Sequence, residues 1–351
     1  MMSKAEKIAN FDPNGIGARN GNLFGLPFDY ADSQIVIIPV TWDVSVSYKD
    51  GTANAPAAIL EASPQLDLYD PDVVDAWKNG ICMLPISESQ TILNRDLRAE
   101  AVAYIEALEK GQFEISNQAD TLQRINTACE NLKNEVKQQA SRIIADGKIP
   151  AVLGGDHSTP LGLMEALAER HGTFGILQID AHADLRDAYE GFTYSHASIM
   201  FNALRIPTMR RLVSVGVRDV SEAEVELAKE DARIKAFYDW EIKEKVHIKR
   251  THTWARFCRK IVKHLPRKVY VSFDIDGLDP KLCAQTGTPV AGGLALHEAF
   301  YLLKTLVKSG RTIIGFDLCE VAPNTDTEWN ANVGARVLYK LCNLCVESGK
   351  Q

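Results

Sequence analysis

The 351-residue sequence lacks several features that would point to particular partners. It has no cluster of Lys and Arg, and its formal net charge is −7, which argues against nucleic acid or an anionic membrane as a partner. No apolar run approaches the roughly 20 residues of a membrane span, and the N-terminus lacks the apolar core of a signal peptide. We therefore expect a soluble, cytoplasmic protein that has neither a nucleic-acid nor a membrane partner.

The sequence also lacks a second cysteine pair and a phosphate-binding loop. The seven cysteines are scattered, and although Cys342 and Cys345 form a C-x2-C pair, no second pair accompanies it, so we interpret them as buried thiols. There is neither a G-x-G-x-x-G motif after a predicted strand nor a Walker loop. We expect the Gly154-Gly155 pair to let the backbone turn sharply before His157, and not to cradle a phosphate.

A linker rich in Pro, Gly and Ser is absent as well, which favours one domain. Predicted strands and helices alternate along the chain, the pattern of an α/β protein, and an apolar content of 46% allows a sizeable core. We predict a three-layer α/β/α architecture around a mostly parallel, doubly wound sheet. Residues 1–33 should form an irregular N-terminal arm and residues 34–351 the single domain, with a helical insert at about 70–120.

The predicted elements follow from apolar runs and helical periodicity. Apolar runs predict strands at 35–40, 149–153, 174–179, 211–217, 269–273 and 312–317. Helical spacing and capping signals predict helices at 56–63, 97–110, 121–146, 161–171, 199–204, 221–229, 253–264, 297–308 and 332–348. Ser221 and Glu224 have the spacing of a capping box. Residues 70–93 are predicted to be irregular.

Three short polar blocks, each directly after a predicted strand, carry the chemistry of this sequence. They contain two His and four Asp: His157, Asp180, His182, Asp184, Asp274 and Asp276. Ligands of open parallel sheets gather beyond the carboxyl ends of the strands, and side chains two residues apart in an extended segment share a face. Since four clustered carboxylates repel one another unless cations lie between them, the pattern predicts a metal site.

The composition of this ligand set indicates the kind of site. Mixed imidazole and carboxylate ligands suit Mn, Ni, Zn or Fe better than Ca. Six ligands exceed the three that one catalytic ion usually takes from a protein, and two ions about 3.5–4 Å apart with bridging carboxylates would explain the surplus. Such a pair lowers the pKa of a water enough for attack on a planar carbon near neutral pH. The alternative interpretation is a set of solvated acidic loops.

Together with further motifs, these blocks make the chain resemble the ureohydrolases: arginase, agmatinase, formimidoylglutamase, guanidinobutyrase and guanidine hydrolase. The resemblance runs over about 35–344 and includes 47–52, 216–219, 272–280, 286–289 and 315–321. Ala284 departs from it, because the family usually has Pro at this loop position. The resemblance implies a metal-dependent hydrolase that releases urea from a cationic guanidino compound, uses two divalent ions (Mn2+ or Ni2+) and forms a homo-oligomer, a trimer or a hexamer.

The same resemblance implies a role for each site residue. One ion would be held by His157, Asp180, Asp184 and Asp274, and the other by Asp180, His182, Asp274 and Asp276. Asp180 and Asp274 would thus be shared, and Asp184 would also orient the attacking water. Glu320 would bind the guanidinium through a planar fork of hydrogen bonds. His196, whose pKa is ordinarily near neutrality, would be the acid/base group, although a lone His is otherwise a common core or surface residue.

Two departures from arginase bear on the substrate. Arg186 and Ser221 stand where arginases use Asn and Asp to hold the amino-acid head, so we expect arginine to be a poor substrate. The stretches 40–48, 70–120 and 328–336 resemble the guanidine-hydrolase branch, whose members resemble nickel users. We therefore expect guanidine as substrate, with agmatine and 4-guanidinobutyrate as alternatives.

Other parts of the sequence could shape the substrate pocket. The arm and the insert could narrow the entrance. Trp42 and Tyr194, with Phe192 and Trp329, could close the pocket by cation–π contact, although core packing is an equal alternative for each.

Two hypotheses of other classes stay open. Zinc deacetylases share a related fold and an Asp-x-His motif but use one metal ion, so the number of ions bound per chain would discriminate them. A catalytically inactive, ureohydrolase-like binding protein would be expected to have lost ligands, whereas this chain retains all six.

Overall fold

Eight strands in the described part of the chain form one parallel sheet. The computed structural model describes residues 2–112 and 118–350. The strands are β1 (Ile35–Pro39), β2 (Ile81–Met83), β3 (Ile149–Leu153), β4 (Phe174–Ile179), β5 (Met209–Val215), β6 (Ile234–Phe237), β7 (Lys268–Asp274) and β8 (Thr312–Cys319). Their order is β2-β1-β3-β8-β7-β4-β5-β6. The predicted parallel, doubly wound sheet is confirmed, and β3, β8, β7 and β4 lie at its centre.

Helices cover both faces of this sheet. They are α1 (Lys4–Asn10), α2 (Ala55–Ala62), α3 (Glu88–Glu109), α4 (Gln118–Ala145), α5 (Leu161–His171), α6 (Ile199–Ala203), α7 (Glu222–Glu230), α8 (Asp239–Ile242), α9 (Trp254–Val262), α10 (Leu296–Lys308) and α11 (Trp329–Ser348). Alternate residues of β1 belong to different hydrophobic clusters: Ile35 and Ile37 pack on one side, Val36 and Ile38 on the other. Because successive strand residues point to opposite faces, the two clusters are the two cores of a three-layer single domain.

The sequence-based boundaries were wrong in a few places, each for a physical reason. Strands β2 and β6 have three and four residues, too short to give an apolar run. Helix α3 begins nine residues before the prediction because its first turns carry polar residues, including the buried Asn94, where helical periodicity calls for apolar ones. The N-terminal arm contains α1, and its residues Leu23 and Phe28 are fully buried in the core.

Two further features concern the helices and the cysteines. None of the described helices has the length and apolar character needed to cross a membrane. All seven cysteines are buried and unpaired. Cys342 and Cys345 lie in α11 within a hydrophobic cluster, as expected for buried thiols.

Candidate metal centre and active site

The six predicted ligands meet because the central strands end at the same level. In the sheet, Ile179 of β4 lies beside Phe273 of β7, and Asp274 of β7 lies beside Cys319 of β8. The residues that follow β4 and β8, Asp180 and Glu320, are therefore neighbours of Asp274. The loop after β3 brings His157 to the same edge. The register of the sheet thus assembles residues that are far apart in sequence.

Two groups of ligand atoms form at this edge, and Asp180 belongs to both. One group consists of His157, Asp180 and Asp274, the other of Asp180, His182 and Asp276, with the ligand atoms of each group within 4.8 Å of one another. Asp180 is thus placed to bridge two ions. Asp274 belongs to the first group alone, so its role as a second bridge stays a prediction.

Asp184 joins the first group through His157. The Nδ1 atom of His157 lies 3.0 Å from Oδ2 of Asp180, 2.9 Å from Oδ2 of Asp184 and 3.4 Å from Oδ2 of Asp274. The Nδ1 atom of His182 lies 3.1 Å from Oδ2 of Asp276. All six predicted ligands therefore line one buried centre.

Hydrogen bonds from backbone N–H groups orient the carboxylates toward this centre. The backbone N–H of His182 donates to Oδ1 of Asp180 at 2.6 Å, and the N–H of Asp276 donates to Oδ1 of Asp274 at 2.8 Å. Similarly, the N–H of Ala181 donates to Oδ1 of Asp276 at 3.0 Å. Each carboxylate thus accepts a backbone N–H with one oxygen, from the residue two positions on for Asp180 and Asp274 and from the distant Ala181 for Asp276, and its other oxygen lies at the centre.

Unpartnered buried atoms show that this centre fits cations. His157 Nδ1, Asp184 Oδ2 and Asp276 Oδ2 are buried and form no hydrogen bond with any of the described residues, although buried polar atoms in proteins are nearly always bonded. Burial and the neighbouring Asp180 raise the pKa of Asp184 to about 8, and burial together with Asp276 and Asp180 raises the pKa of Asp274 well above its usual value. Imidazole and carboxylate lone pairs in this arrangement are suited to divalent ions.

Two residues that the sequence did not single out as functional fix the orientation of His157. Its Nε2 lies 2.8 Å from Oγ of Ser272, and this Oγ donates to Oδ2 of Asp317 at 2.8 Å. The Nε2 position therefore carries the proton, and the lone pair of Nδ1 faces the carboxylates. Partners of this kind commonly orient metal-binding histidines. Ser272 lies two residues before the ligand Asp274 in β7, a spacing that could have indicated it.

Glu320 follows β8 directly and offers one free carboxylate oxygen. Its Oε1 accepts the backbone N–H of His157 at 2.9 Å, whereas its buried Oε2 forms no hydrogen bond within the part of the chain that the structure describes. The residue has a left-handed backbone conformation, with φ of 66°, which is costly for a residue other than glycine and is typical of functional sites. Burial and Asp156 raise the pKa of Glu320 well above its usual value, so a cationic ligand would stabilise its charged form.

Gly287 is required for this placement of Glu320. A Cβ atom at residue 287 would lie 2.8 Å from Oε2 of Glu320, closer than Cβ atoms approach other atoms in proteins. The neighbouring Thr288 lines the cavity described below. The motif at 286–289 therefore leaves room for the carboxylate.

His196 lies at the start of a short 3-10 turn, His196–Ser198, and lines the same cavity as His182 and Asp184. Its Nε2 is 3.3 Å from Oγ of Ser47, and its ring lies edge-on to Tyr189 with 6.5 Å between ring centroids. Burial and the charge of His182 lower its pKa to about 3. The imidazole is therefore neutral near pH 7 and can accept a proton.

A cavity of about 140 Å³ opens onto this centre. Its walls are formed by Ser47, His182, Asp184, Arg186, Tyr189, His196, Ala197, Asp219, Val220, Glu224 and Thr288. The guanidinium of Arg186 stacks over the ring of Tyr189 at 4.6 Å and its Nε lies 3.7 Å from Oε2 of Glu224. Asp219 is exposed on the same wall. Glu224 is buried, so the exposed mouth of the cavity carries one basic side chain, Arg186, and one acidic side chain, Asp219.

The structure places the predicted pocket aromatics elsewhere. The described residues that line the cavity include neither Trp42 nor Tyr194. Trp42 is buried and lines a separate groove between α3 and α4, while Lys133 lies over the ring of Tyr194. Phe192 packs against Tyr104 in the core, with the two rings tilted by 59°. The prediction that Trp42 and Tyr194 cover the substrate is corrected, since Tyr189 is the aromatic residue in the wall.

Two smaller expectations are refined by the structure. The backbone bends at Gly155 and Asp156, directly before His157, where we expected a sharp turn. In addition, a Cβ atom on Gly155 would lie 1.8 Å from the carbonyl oxygen of Trp42, so glycine permits close approach of the 41–53 segment. Ser221 is occupied in capping α7, because its N–H and Oγ donate to Glu224 at 3.0 and 2.7 Å.

Comparisons with known proteins agree with this geometry. Residues 33–343 match the Arginase family. The chain is 28% identical to an N(1)-aminopropylagmatine ureohydrolase of Synechocystis over 92% of each chain. It is 32% identical to a guanidinobutyrase of Pseudomonas aeruginosa over 73% of this chain and 80% of that protein. An agmatinase of Bacillus anthracis is 28% identical over 85% and 86% of the two chains.

Solved structures with low sequence identity share the fold. The agmatine ureohydrolase of Thermoplasma volcanium superposes with a TM-score of 0.69 at 23% identity and 99% coverage of both chains. An arginase of Bacillus subtilis superposes with a TM-score of 0.63 at 20% identity, over 88% of this chain and 98% of the other.

Proposed function

This chain belongs to the arginase family, and we propose that it releases urea from a guanidino compound that carries an alkyl tail, with agmatine as the principal substrate. We further propose that the six ligands hold two divalent ions, Mn2+ or Ni2+. The observation that carries the proposal is the buried, unpartnered Oε2 of Glu320 beside a centre of six metal ligands.

Each residue of the site has a task in this reaction. The ions, when bound, supply a water that is nucleophilic near neutral pH. Glu320 accepts two N–H groups of the guanidinium in a planar fork and holds its carbon at the centre. Asp184 orients the attacking water and accepts its proton, and His196, neutral at pH 7, relays a proton to the leaving nitrogen. Water adds to the carbon, the C–N bond breaks, and urea and an amine leave.

The names of the relatives support a substrate with a tail. The aminopropylagmatine ureohydrolase, the guanidinobutyrase and the agmatinase are all named after guanidino compounds with an alkyl chain. The mouth of the cavity is compatible with an ammonium tail, because the charge of Arg186 lies beside the buried Glu224 while Asp219 is exposed on the same wall.

Guanidine, the substrate expected from the sequence, is the second candidate. None of these relatives is named for guanidine. Two observations keep it in consideration: the cavity has only about 140 Å³, and Arg186 places a positive charge where the tail of agmatine would pass. A bare guanidinium would avoid this repulsion.

Kinetics of urea release will separate these candidates. We would measure kcat/KM for agmatine, 4-guanidinobutyrate, guanidine and arginine on samples loaded separately with Mn2+ or Ni2+. We expect agmatine to give the highest value and arginine the lowest. A higher value for guanidine with both metals would replace agmatine by the second candidate. Absence of urea from every compound, with two ions bound, would indicate a binding protein, and one ion per chain would favour a deacetylase.

Glu320→Gln tests the observation that carries the proposal. The variant should raise KM by roughly 10–100-fold, the effect of losing a hydrogen-bonded charge pair, at unchanged metal content. Glu328→Gln, an exposed acid beyond the same strand, is the control and should behave as wild type. An unchanged KM in Glu320→Gln would remove this residue from the substrate site.

A further inference from the structure

We propose that Arg98, on α3, is a positioning residue that holds the 41–53 loop so that Ser47 lies against His196. The 41–53 loop is the segment between β1 and α2. The inference rests on the proposed function, since the position of Ser47 matters only if His196 takes part in the reaction.

Arg98 contacts the loop at residues before and after Ser47 in the sequence. Its Nη1 donates to the carbonyl oxygens of Val44 and Val46 at 3.1 and 2.6 Å. Its Nε lies 3.8 Å from Oδ2 of Asp50, and the Arg98 side chain is only 11% exposed. A largely buried guanidinium that bonds two carbonyl groups fixes the local path of the backbone, because removing it leaves both carbonyls without these donors.

The contact of Arg98 is part of a polar stripe along α3, formed by Gln90, Asn94 and Arg98. Oε1 of Gln90 accepts the N–H of Thr41 at 2.8 Å. Oδ1 of Asn94 accepts the N–H of Asp43 at 2.7 Å, and Nδ2 of Asn94 donates to Oδ1 of Asp43 at 2.9 Å. Residues spaced by four share one face of a helix, so this face of α3 is built to bind the loop.

Asp43 joins the beginning of the 41–53 loop to its end. Its Oδ2 accepts the N–H groups of Gly51 and Ala53 at 2.8 and 3.1 Å. Since Asn94 holds the other oxygen of the same carboxylate, α3 fixes both ends of the loop through a single buried side chain.

The 41–53 loop contacts the active site at two places, near His196 and near Glu320. Oγ of Ser47 lies 3.3 Å from Nε2 of His196. The N–H of Lys49 donates to the carbonyl oxygen of Gly287 at 3.3 Å, and Gly287 is in turn packed against Glu320. A displaced loop would therefore affect the acid/base group and the guanidinium-binding carboxylate together.

This arrangement gives the insert a role other than the one expected from the sequence. We expected residues 70–120 to narrow the entrance, but the described residues that line the cavity include none from α3. Helix α3 instead binds the 41–53 loop, and this loop contributes Ser47 to the wall of the cavity.

Hydrogen exchange and kinetics on the metal-loaded protein test the proposal. Arg98→Ala should speed amide exchange of Lys49, Gly51 and Ala53 and lower kcat/KM for agmatine, each by roughly tenfold for a lost charge-assisted hydrogen bond, with metal content unchanged. Arg98→Lys keeps one donor and the charge, so it should recover part of both effects. The control is Arg95→Ala on the same helix, whose side chain is 74% exposed and pairs only with Asp96.

Several outcomes would overturn the proposal. Unchanged exchange in the loop of Arg98→Ala would do so, as would exchange accelerated equally throughout the chain, which would indicate a general structural role. Faster loop exchange at wild-type kcat/KM would also overturn it. If the wild type hydrolyses no guanidino compound while loop exchange still responds to Arg98→Ala, the proposed function fails and the bracing of the loop by Arg98 stands.

Discussion

The inner and outer walls of the active site are built in different ways. The inner wall consists of ligands within a few residues of the ends of β3, β4 and β7, and the backbone N–H two residues along the chain orients Asp180 and Asp274. The outer wall is formed by loops whose contacts join distant parts of the chain. Ser47 and His196, for example, are 149 residues apart. Local sequence thus specifies which side chains follow the strand ends, and the sheet register brings them together as a candidate metal centre, whereas packing between loops specifies the substrate mouth.

This difference has consequences for mutation. Buried ligands that share a small volume depend on one another, so the loss of one affects all of them. Residues at the mouth are partly exposed, and solvent screens their charges. Substitutions in the inner wall should therefore abolish the site, and substitutions in the outer wall should change its preference.

The largest effect is expected at Asp180, the ligand common to both groups. Asp180→Asn should reduce the bound metal from two ions to none and abolish urea release. In the wild type, chelation should lower the Tm because bound ions stabilise the native state, whereas Asp180→Asn should not respond to chelator. Elemental analysis and thermal unfolding check both points. Asp187→Asn, an exposed residue paired with Arg205, is the control, and two ions bound to Asp180→Asn would refute the shared-ligand assignment.

His196 belongs to the outer wall but is buried, and its loss should give an intermediate effect. His196→Ala should lower kcat by roughly 10²–10⁴-fold, as expected for a lost acid/base group, without loss of metal. His247→Ala, which removes a partly exposed histidine paired with Glu298, should leave kcat unchanged. Steady-state kinetics over a range of pH provide the check, and a wild-type rate for His196→Ala at every pH would end its proposed role.

The smallest effect is expected at Arg186 in the outer wall, whose side chain is 40% exposed. Arg186→Ala should raise kcat/KM for agmatine and lower it for 4-guanidinobutyrate, each by about two- to fivefold, the range of an exposed charge interaction. Competition between the two substrates measures the ratio directly. Arg205→Ala, on the exposed surface beside Asp187, should leave the ratio unchanged. A shift in favour of 4-guanidinobutyrate would show that Arg186 does not repel the ammonium tail.

The sequence predicted the centre of the fold more completely than its edges. The strands β1, β3, β4, β7 and β8 are buried on both faces and therefore appear as continuous apolar runs. The edge strands β2 and β6 are short and gave no such signal. In α3, the polar residues that bind the 41–53 loop interrupt the apolar periodicity. For this reason the sequence pattern did not predict the first turns of the helix.

By itself, the sequence determined the α/β class and predicted the six candidate ligands, because strand periodicity and a polar residue just after a strand are local patterns, and its resemblance to the ureohydrolases pointed to Glu320. Only the tertiary structure decided that Tyr189 and Arg186 form the mouth, that Ser272 and Asp317 orient His157, and that Trp42 packs away from the cavity. These placements depend on loop conformation and on contacts between residues more than 40 positions apart. No local periodicity encodes such contacts, since they are set by how the helices and loops pack around the sheet.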